Sequence, residues 1–171
     1  MTNYFRMSAL AVVLSVGSQF ASAADPAEFV DNASAKGVAE IQAARLAEEK
    51  GTSADVKTFA KMMEADHTQA NQKLQEIAKQ KNLKVSDDAT LADKAKAMIL
   101  DLRSAKSFDQ AYANNQVKAH EQTIELFEEE VKSGKDAELK AFAEATLPKL
   151  KAHLAEAKKL AAAHGGDAAK Q

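Results

Sequence analysis

The chain has 171 residues, with 23 lysines and arginines against 25 aspartates and glutamates, and no cysteine. Its charges are interspersed without a basic run, which excludes nucleic acid as a partner. Without cysteine there is no disulfide, thiolate nucleophile or thiolate metal ligand, so any metal must be held by imidazole, carboxylate, thioether or amide groups. Alanine, lysine and glutamate dominate and no run of alternating strand-like residues occurs, which excludes a β-barrel.

Residues 1–23 read as a cleaved signal peptide. Arg6 supplies the basic start, Ala9 to Val16 with Phe20 the apolar segment, and Ala21-Ser22-Ala23 the small residues of a cleavage site. The apolar segment is too short and too broken by serine and glycine to span a bilayer. Cleavage before Ala24 removes only the charge of Arg6 and leaves a formal charge of about −3. The expected location is the periplasm, or outside the cell. The expected mature protein is one domain over 24–164 followed by a flexible tail at 165–171, with no transmembrane segment.

The first helix opens at Asp25-Pro26-Ala27-Glu28, where Asp25 caps, Pro26 suits the first turn and Glu28 completes a capping box. Phe29, Val30, Ala33, Gly37, Ile41 and Ala44 form its apolar face, and Lys50-Gly51 ends it. A second helix runs from Thr52 or Ser53 to about Gln80. Its stripe of Val56, Phe59, Ala60, Met63, His67, Ala70, Leu74 and Ile77 is the strongest helical signal in the chain. Residues 81–107 form a long connection with a short helix capped by Thr90, whose apolar side is read as Ala95, Met98, Ile99 and Leu102. The third long helix is placed at a capping box, Ser107-Phe108-Asp109-Gln110, with a stripe through Ala113, Val117, His120, Ile124, Phe127 and Val131. Glu128-Glu129-Glu130 reads as its solvated end. After Gly134 the fourth long helix runs from about Asp136 to His164, its stripe carrying Leu139, Phe142, Ala143, Thr146, Leu150, His153, Ala157 and Leu160. Pro148 lies inside it and is expected to kink it and free the carbonyl of Glu144. Gly165-Gly166 reads as the start of the frayed tail, and His164 as a solvated end residue.

A faint repeat relates Gly51 to Ala60 with Gly134 to Ala143. Two helical hairpins joined by a long connector follow from it, since short turns make antiparallel neighbours and a long connector permits a crossover. The fold class is therefore all-α, a ferritin-like four-helix bundle with a short extra helix in its crossover.

The residues Phe59-Ala60, Asp66-His67, Phe108-Asp109 with Tyr112, His120-Glu121, and Leu147-Pro148 with His153-Leu154 are arranged as in a known family. From about Glu28 to Leu160 the chain resembles the bacterial domain of unknown function 4142 family. The resemblance implies a ferritin-like fold and, because members are often labelled predicted outer-membrane proteins, a place in the cell envelope. It implies no reaction.

His67, His120 and His153 lie near the middle of three separate helices, each on the apolar stripe. Burying an imidazole without a partner costs a few kcal/mol, so three in one bundle need a common explanation. A ferritin-like di-iron site needs two glutamates and two Glu-x-x-His pairs. Glu64-Ala65-Asp66-His67 is one such pair, but Leu150 stands where the second needs glutamate, so the di-iron pattern is broken. Counted from the turns, Glu40 and the three histidines fall in one middle layer, offset by about a turn. A mononuclear site on His67, His120 and His153, completed or oriented by Glu40 and Glu64, suits one Zn, Cu, Ni or Fe ion. Asp66 and Glu121 stand behind it as groups that orient imidazole N–H bonds, and Met63 as a soft group one turn from His67. The competing explanation is a buried polar layer that fixes the register of a core rich in alanine. Two functions follow: an exported, non-catalytic bundle that binds a transition metal or small ligand, or a structural or interaction module of the envelope whose histidines only hold the packing. No catalytic residue is assigned, and protein partners are not read from the sequence.

Overall fold

The computed structural model describes residues 25–166, so the expected signal peptide and residues 167–171 lie outside the described residues. The described residues form five helices and no strand: α1 (Pro26–Lys50), α2 (Ala54–Gln80), α3 (Leu91–Asp101), α4 (Ala105–Ser133) and α5 (Ala137–Ala163). Helices α1 and α2 pack as one hairpin and α4 and α5 as another, with α1 against α4 and α2 against α5. Direction follows from who meets whom. Phe29 at the start of α1 stacks edge-on to Phe127 near the end of α4, whereas Phe59 early in α2 meets Tyr112 early in α4. Helix α4 therefore runs antiparallel to α1 and parallel to α2, and the connection carrying α3 crosses the length of the bundle between them. No helix among the described residues is long and apolar enough to cross a membrane.

The two hairpin turns share one design, as the faint repeat anticipates. Gly51 and Gly134 have nearly the same backbone angles, φ −56° ψ 137° and φ −58° ψ 140°. Each donates its N–H to the carbonyl four residues back, Ala47 at 2.9 Å and Glu130 at 2.8 Å. A Cβ on either glycine would sit 2.5 Å from that same carbonyl oxygen, which is why the helix stops on a residue without one.

Two apolar clusters fill the bundle above and below a central polar layer. The upper one gathers Ala44, Val56, Met63, Phe108, Val117 and Ala157, the lower one Phe29, Leu74, Phe127, Leu139, Phe142 and Leu150. Alanines dominate the upper cluster and let the helix axes approach closely. In the lower half, Gly37 does the same for α1 and α2, because a Cβ there would fall 2.0 Å from Asn71 Oδ1.

Several local readings of the sequence are corrected. Helix α4 starts at Ala105 behind Ser104 rather than at Ser107; the Ser104 side chain makes no capping bond, and Ser107 Oγ donates back to the Ser104 carbonyl at 3.2 Å. Asp109, freed from a local cap, caps another helix. Its carboxylate accepts from Thr52 N–H (3.0 Å), Thr52 Oγ1 (2.6 Å), Ser53 N–H (3.0 Å) and Ser53 Oγ (2.6 Å), closing the start of α2 from across the bundle. Burial raises the Asp109 carboxyl, but the Ser53 and Thr52 bonds outweigh it and hold the group below the usual carboxylate range. Asp109→Ala strands four donors in a half-buried turn and is expected to cost about 2–4 kcal/mol. The urea midpoint measures this, and Asp109→Asn should recover part of the loss.

The short helix presents the opposite side from the one expected: Met98, Ile99 and Leu102 are 60%, 57% and 79% exposed, and Leu100 is the residue that packs inward. Glu130 is not solvated with its neighbours but buried, its carboxyl folded against Gly134, and burial with Asp136 nearby raises its pKa. Helix α5 passes through Pro148 without interruption, and Pro148 and Glu144 both lie on its exposed side. Gly165, at φ 71°, lets the chain turn back so that Gly166 N–H bonds the Ala161 carbonyl at 2.6 Å, a left-handed helix cap. His164 is paired rather than solvated, its Nε2 3.0 Å from Asp55 Oδ2.

A candidate metal centre in the middle of the bundle

His67 on α2, His120 on α4 and His153 on α5 meet in the central layer. Their ring centroids are 5.5 Å apart for the pairs of His120 with His67 and with His153, and 5.6 Å for His67 with His153. All three are buried, and one ring nitrogen from each lies within 4.8 Å of the other two. The convergence is a consequence of register. Each histidine occupies a core position of its own helix, and the matched hairpin turns bring those positions to one height.

The second nitrogen of two rings is spoken for. His120 Nδ1 is 2.9 Å from the Gln116 carbonyl one turn back on α4. A carbonyl only accepts, so Nδ1 carries the hydrogen and Nε2 of the neutral ring carries the lone pair. His153 Nε2 lies 2.9 Å from Asp66 Oδ2, and Lys149 Nζ donates to the other oxygen of Asp66 at 2.8 Å. Burial raises the Asp66 carboxyl, but the bonds to Lys149 and His153 outweigh it and keep it ionised at neutral pH. The ionised carboxylate takes the hydrogen of His153 Nε2 and leaves the lone pair on Nδ1. The nitrogens left over are His120 Nε2 and His153 Nδ1, and with His67 Nε2 they are buried without any hydrogen-bond partner.

Burial and the neighbouring His120 and His153 push the His67 pKa down to about 3, and burial lowers His153 against the pull of Asp66. These two rings are neutral near pH 7. In the metal-free protein this makes the fold acid-sensitive. His67 binds its proton at about 6.5 when unfolded and at about 3 when folded, so its contribution is complete above about pH 6.5 and is lost as pH falls through that window. At about 1.4 kcal/mol per pKa unit the loss is on the order of several kcal/mol. Asp66, also lowered, acts in the same sense below about 3.8, while Glu40, raised, acts in the opposite sense above about 4.5. The urea midpoint of the metal-free protein is expected to drop steadily from pH 7 to pH 4, and a level midpoint between pH 7 and 5 would contradict a neutral buried His67.

The other residues singled out from the sequence fall in different places. Glu40 is buried beside the layer, and its Oε2 accepts from Gln116 Nε2 at 2.8 Å. Burial raises its pKa against the lowering effect of His120 and of the Gln116 bond. It is not among the groups within 4.8 Å of one another. Glu64 lies away from the layer, its Oε1 2.6 Å from Arg45 Nε on α1. Glu121 is at the surface with Lys158 at 3.1 Å. Met63 is fully buried one turn from His67. Asp66 reaches the cluster through His153. Gln116, fully buried, joins Glu40 to the backbone that holds His120 and went unremarked in the sequence; a polar residue four positions before His120, on the same helical face, was the signal for it.

A four-helix bundle with a three-imidazole cluster at its centre is the class that fold and site define. The chain belongs to the family described as Domain of unknown function (DUF4142), which matches residues 12–160. No curated protein and no solved structure matches it.

Proposed function

We propose that this protein is a metal-binding, ferritin-like bundle of the bacterial envelope that holds one transition-metal ion on His67, His120 and His153. One observation carries the reading: three buried imidazole nitrogens from three helices face one another with no hydrogen-bond partner. Buried polar atoms in folded proteins are nearly always paired, and each unpaired one costs about 1–3 kcal/mol. A layer that served only packing would turn these rings toward partners. Here two rings spend their N–H outward, on Asp66 and on the Gln116 carbonyl, the arrangement that orients metal-bound histidines.

The donor set selects the ion. Three neutral nitrogens suit Zn, Cu, Ni or Fe(II). An equilateral triangle of 4.8 Å sides has its centre about 2.8 Å from each corner, against about 2.0–2.1 Å for a zinc–imidazole bond, so a closure of under about 1 Å completes the site. A two-iron centre is disfavoured, because Glu64 is engaged with Arg45 and Leu150 replaces the second glutamate. The antiparallel hairpins and the long crossover support the ferritin-like assignment. Export rests on the leader read in residues 1–23. Asp66 and Gln116 position the ligands, Glu40 positions Gln116, and no residue is given a catalytic role.

The structural reading draws its support from His153, whose link to Asp66 and Lys149 ties α2 to α5 whether or not an ion is bound. Titration calorimetry of metal-free protein separates the two. One ion per chain, lost in the triple His67, His120 and His153→Ala variant, is the expected result. No uptake by a folded wild-type chain would leave the histidines as packing residues.

A further inference from the structure

A small chamber lies against one side of the three imidazoles. On every long helix its walls come from residues one turn away toward the same end of the bundle: Gly37 before Glu40, Ala70 after His67, Thr123 after His120 and Leu150 before His153. Its volume is about 30 Å³, room for about two waters or a ligand of two or three heavy atoms. The other side of the imidazoles is closed, since Met63, Ala44 and Ala157 are all fully buried in the upper cluster. An ion on the three histidines is therefore open to a fourth ligand from the chamber side alone.

Charge decides what that ligand is. Neutral imidazoles leave the charge of a divalent ion uncompensated in a low-dielectric interior, which favours an anion beside it. Lys36 and Lys149 lie on the chamber wall. Of the acidic groups there, Asp66 is held by Lys149 and His153, and Glu40 by Gln116. The hydroxyls of Thr123 and Thr146 give their hydrogens to their own helices, to the Ala119 carbonyl at 2.8 Å and the Phe142 carbonyl at 2.7 Å, and so offer no competing donor.

We propose that the chamber is a binding site for a small anion of two or three heavy atoms, which enters beside Lys36 and Lys149 and becomes the fourth ligand of the metal. This rests on the metal reading, and the two fail differently. The test is the full chain loaded with Co(II), whose visible bands report the metal alone, titrated with azide. Azide is expected to shift those bands with saturation. Ala70→Leu, which fills the chamber, should keep the cobalt bands and weaken azide about tenfold or more, while Leu74→Ala, which widens it, should tighten binding of the bulkier thiocyanate about tenfold. Cobalt bands that ignore azide, or variants that titrate like the wild type, overturn the anion site. Absence of cobalt bands in the wild type overturns the metal reading on which it rests.

Discussion

Metal-free protein supplied with Zn(II) or Co(II) is expected to melt about 10 °C higher, and EDTA is expected to reverse the gain. A ligand at about 1,000 times its dissociation constant stabilises the folded state by about 4 kcal/mol, and a domain of this size gains about 2–4 °C per kcal/mol. The unfolded chain competes poorly, because its histidines are far apart in sequence and only the packed helices bring them together. His67→Ala, His120→Ala and His153→Ala should each remove most of the shift. Glu64→Gln is the informative control. A site of the Glu-x-x-His type needs that carboxylate, whereas in this structure it bonds Arg45, so the variant is expected to keep the full shift. A wild-type melt unmoved by either ion or chelator would remove the metal from the account, and a shift lost in Glu64→Gln would redraw the ligand set.

The long helices were legible because their stripes are long. Eight positions of α2 keep one 3–4 spacing, and a histidine on such a stripe has one direction to point. The same argument fails for α3. Over 11 residues the pattern fits more than one face, and the sequence cannot say which face the bundle covers; Leu100 turned inward and Met98, Ile99 and Leu102 outward. Capping was legible only where it is local. Asp25 accepts from Ala27 N–H two residues on, as its position suggests, but Asp109 caps Thr52 and Ser53 more than fifty residues away, and no spacing rule encodes that. Glu130 shows the same limit. Its two acidic neighbours suggest a solvated run, while the tight turn at Gly134 folds its carboxyl under the chain. For the site, residue type and register together marked the three histidines. Their free nitrogens were not readable, since those depend on which way each ring is turned by Asp66 or by the Gln116 carbonyl.

Replacing His67 by leucine is expected to stabilise the metal-free protein and to abolish metal binding in the same molecule. His67 Nε2 is buried and unpaired, and the ring sits between two others that resist its protonation. Removing such an atom recovers about 1–3 kcal/mol, and leucine is close enough in volume to pack against the neighbouring Met63 without a cavity. A histidine kept only for packing predicts the reverse, because its loss would leave a partner unsatisfied and soften the layer. His153 supplies the contrast inside the same cluster. His153→Leu takes a hydrogen bond from Asp66, which keeps Lys149 but loses its partner across the α2–α5 contact, so the gain there should be smaller or absent. Urea midpoints of both variants, measured with EDTA present, order the two cases. A higher midpoint for His67→Leu with no metal uptake means that this position holds its imidazole at a cost in stability, and ligation is then what keeps it. A lower midpoint, from a variant that still folds, makes His67 a packing residue and withdraws it from the centre.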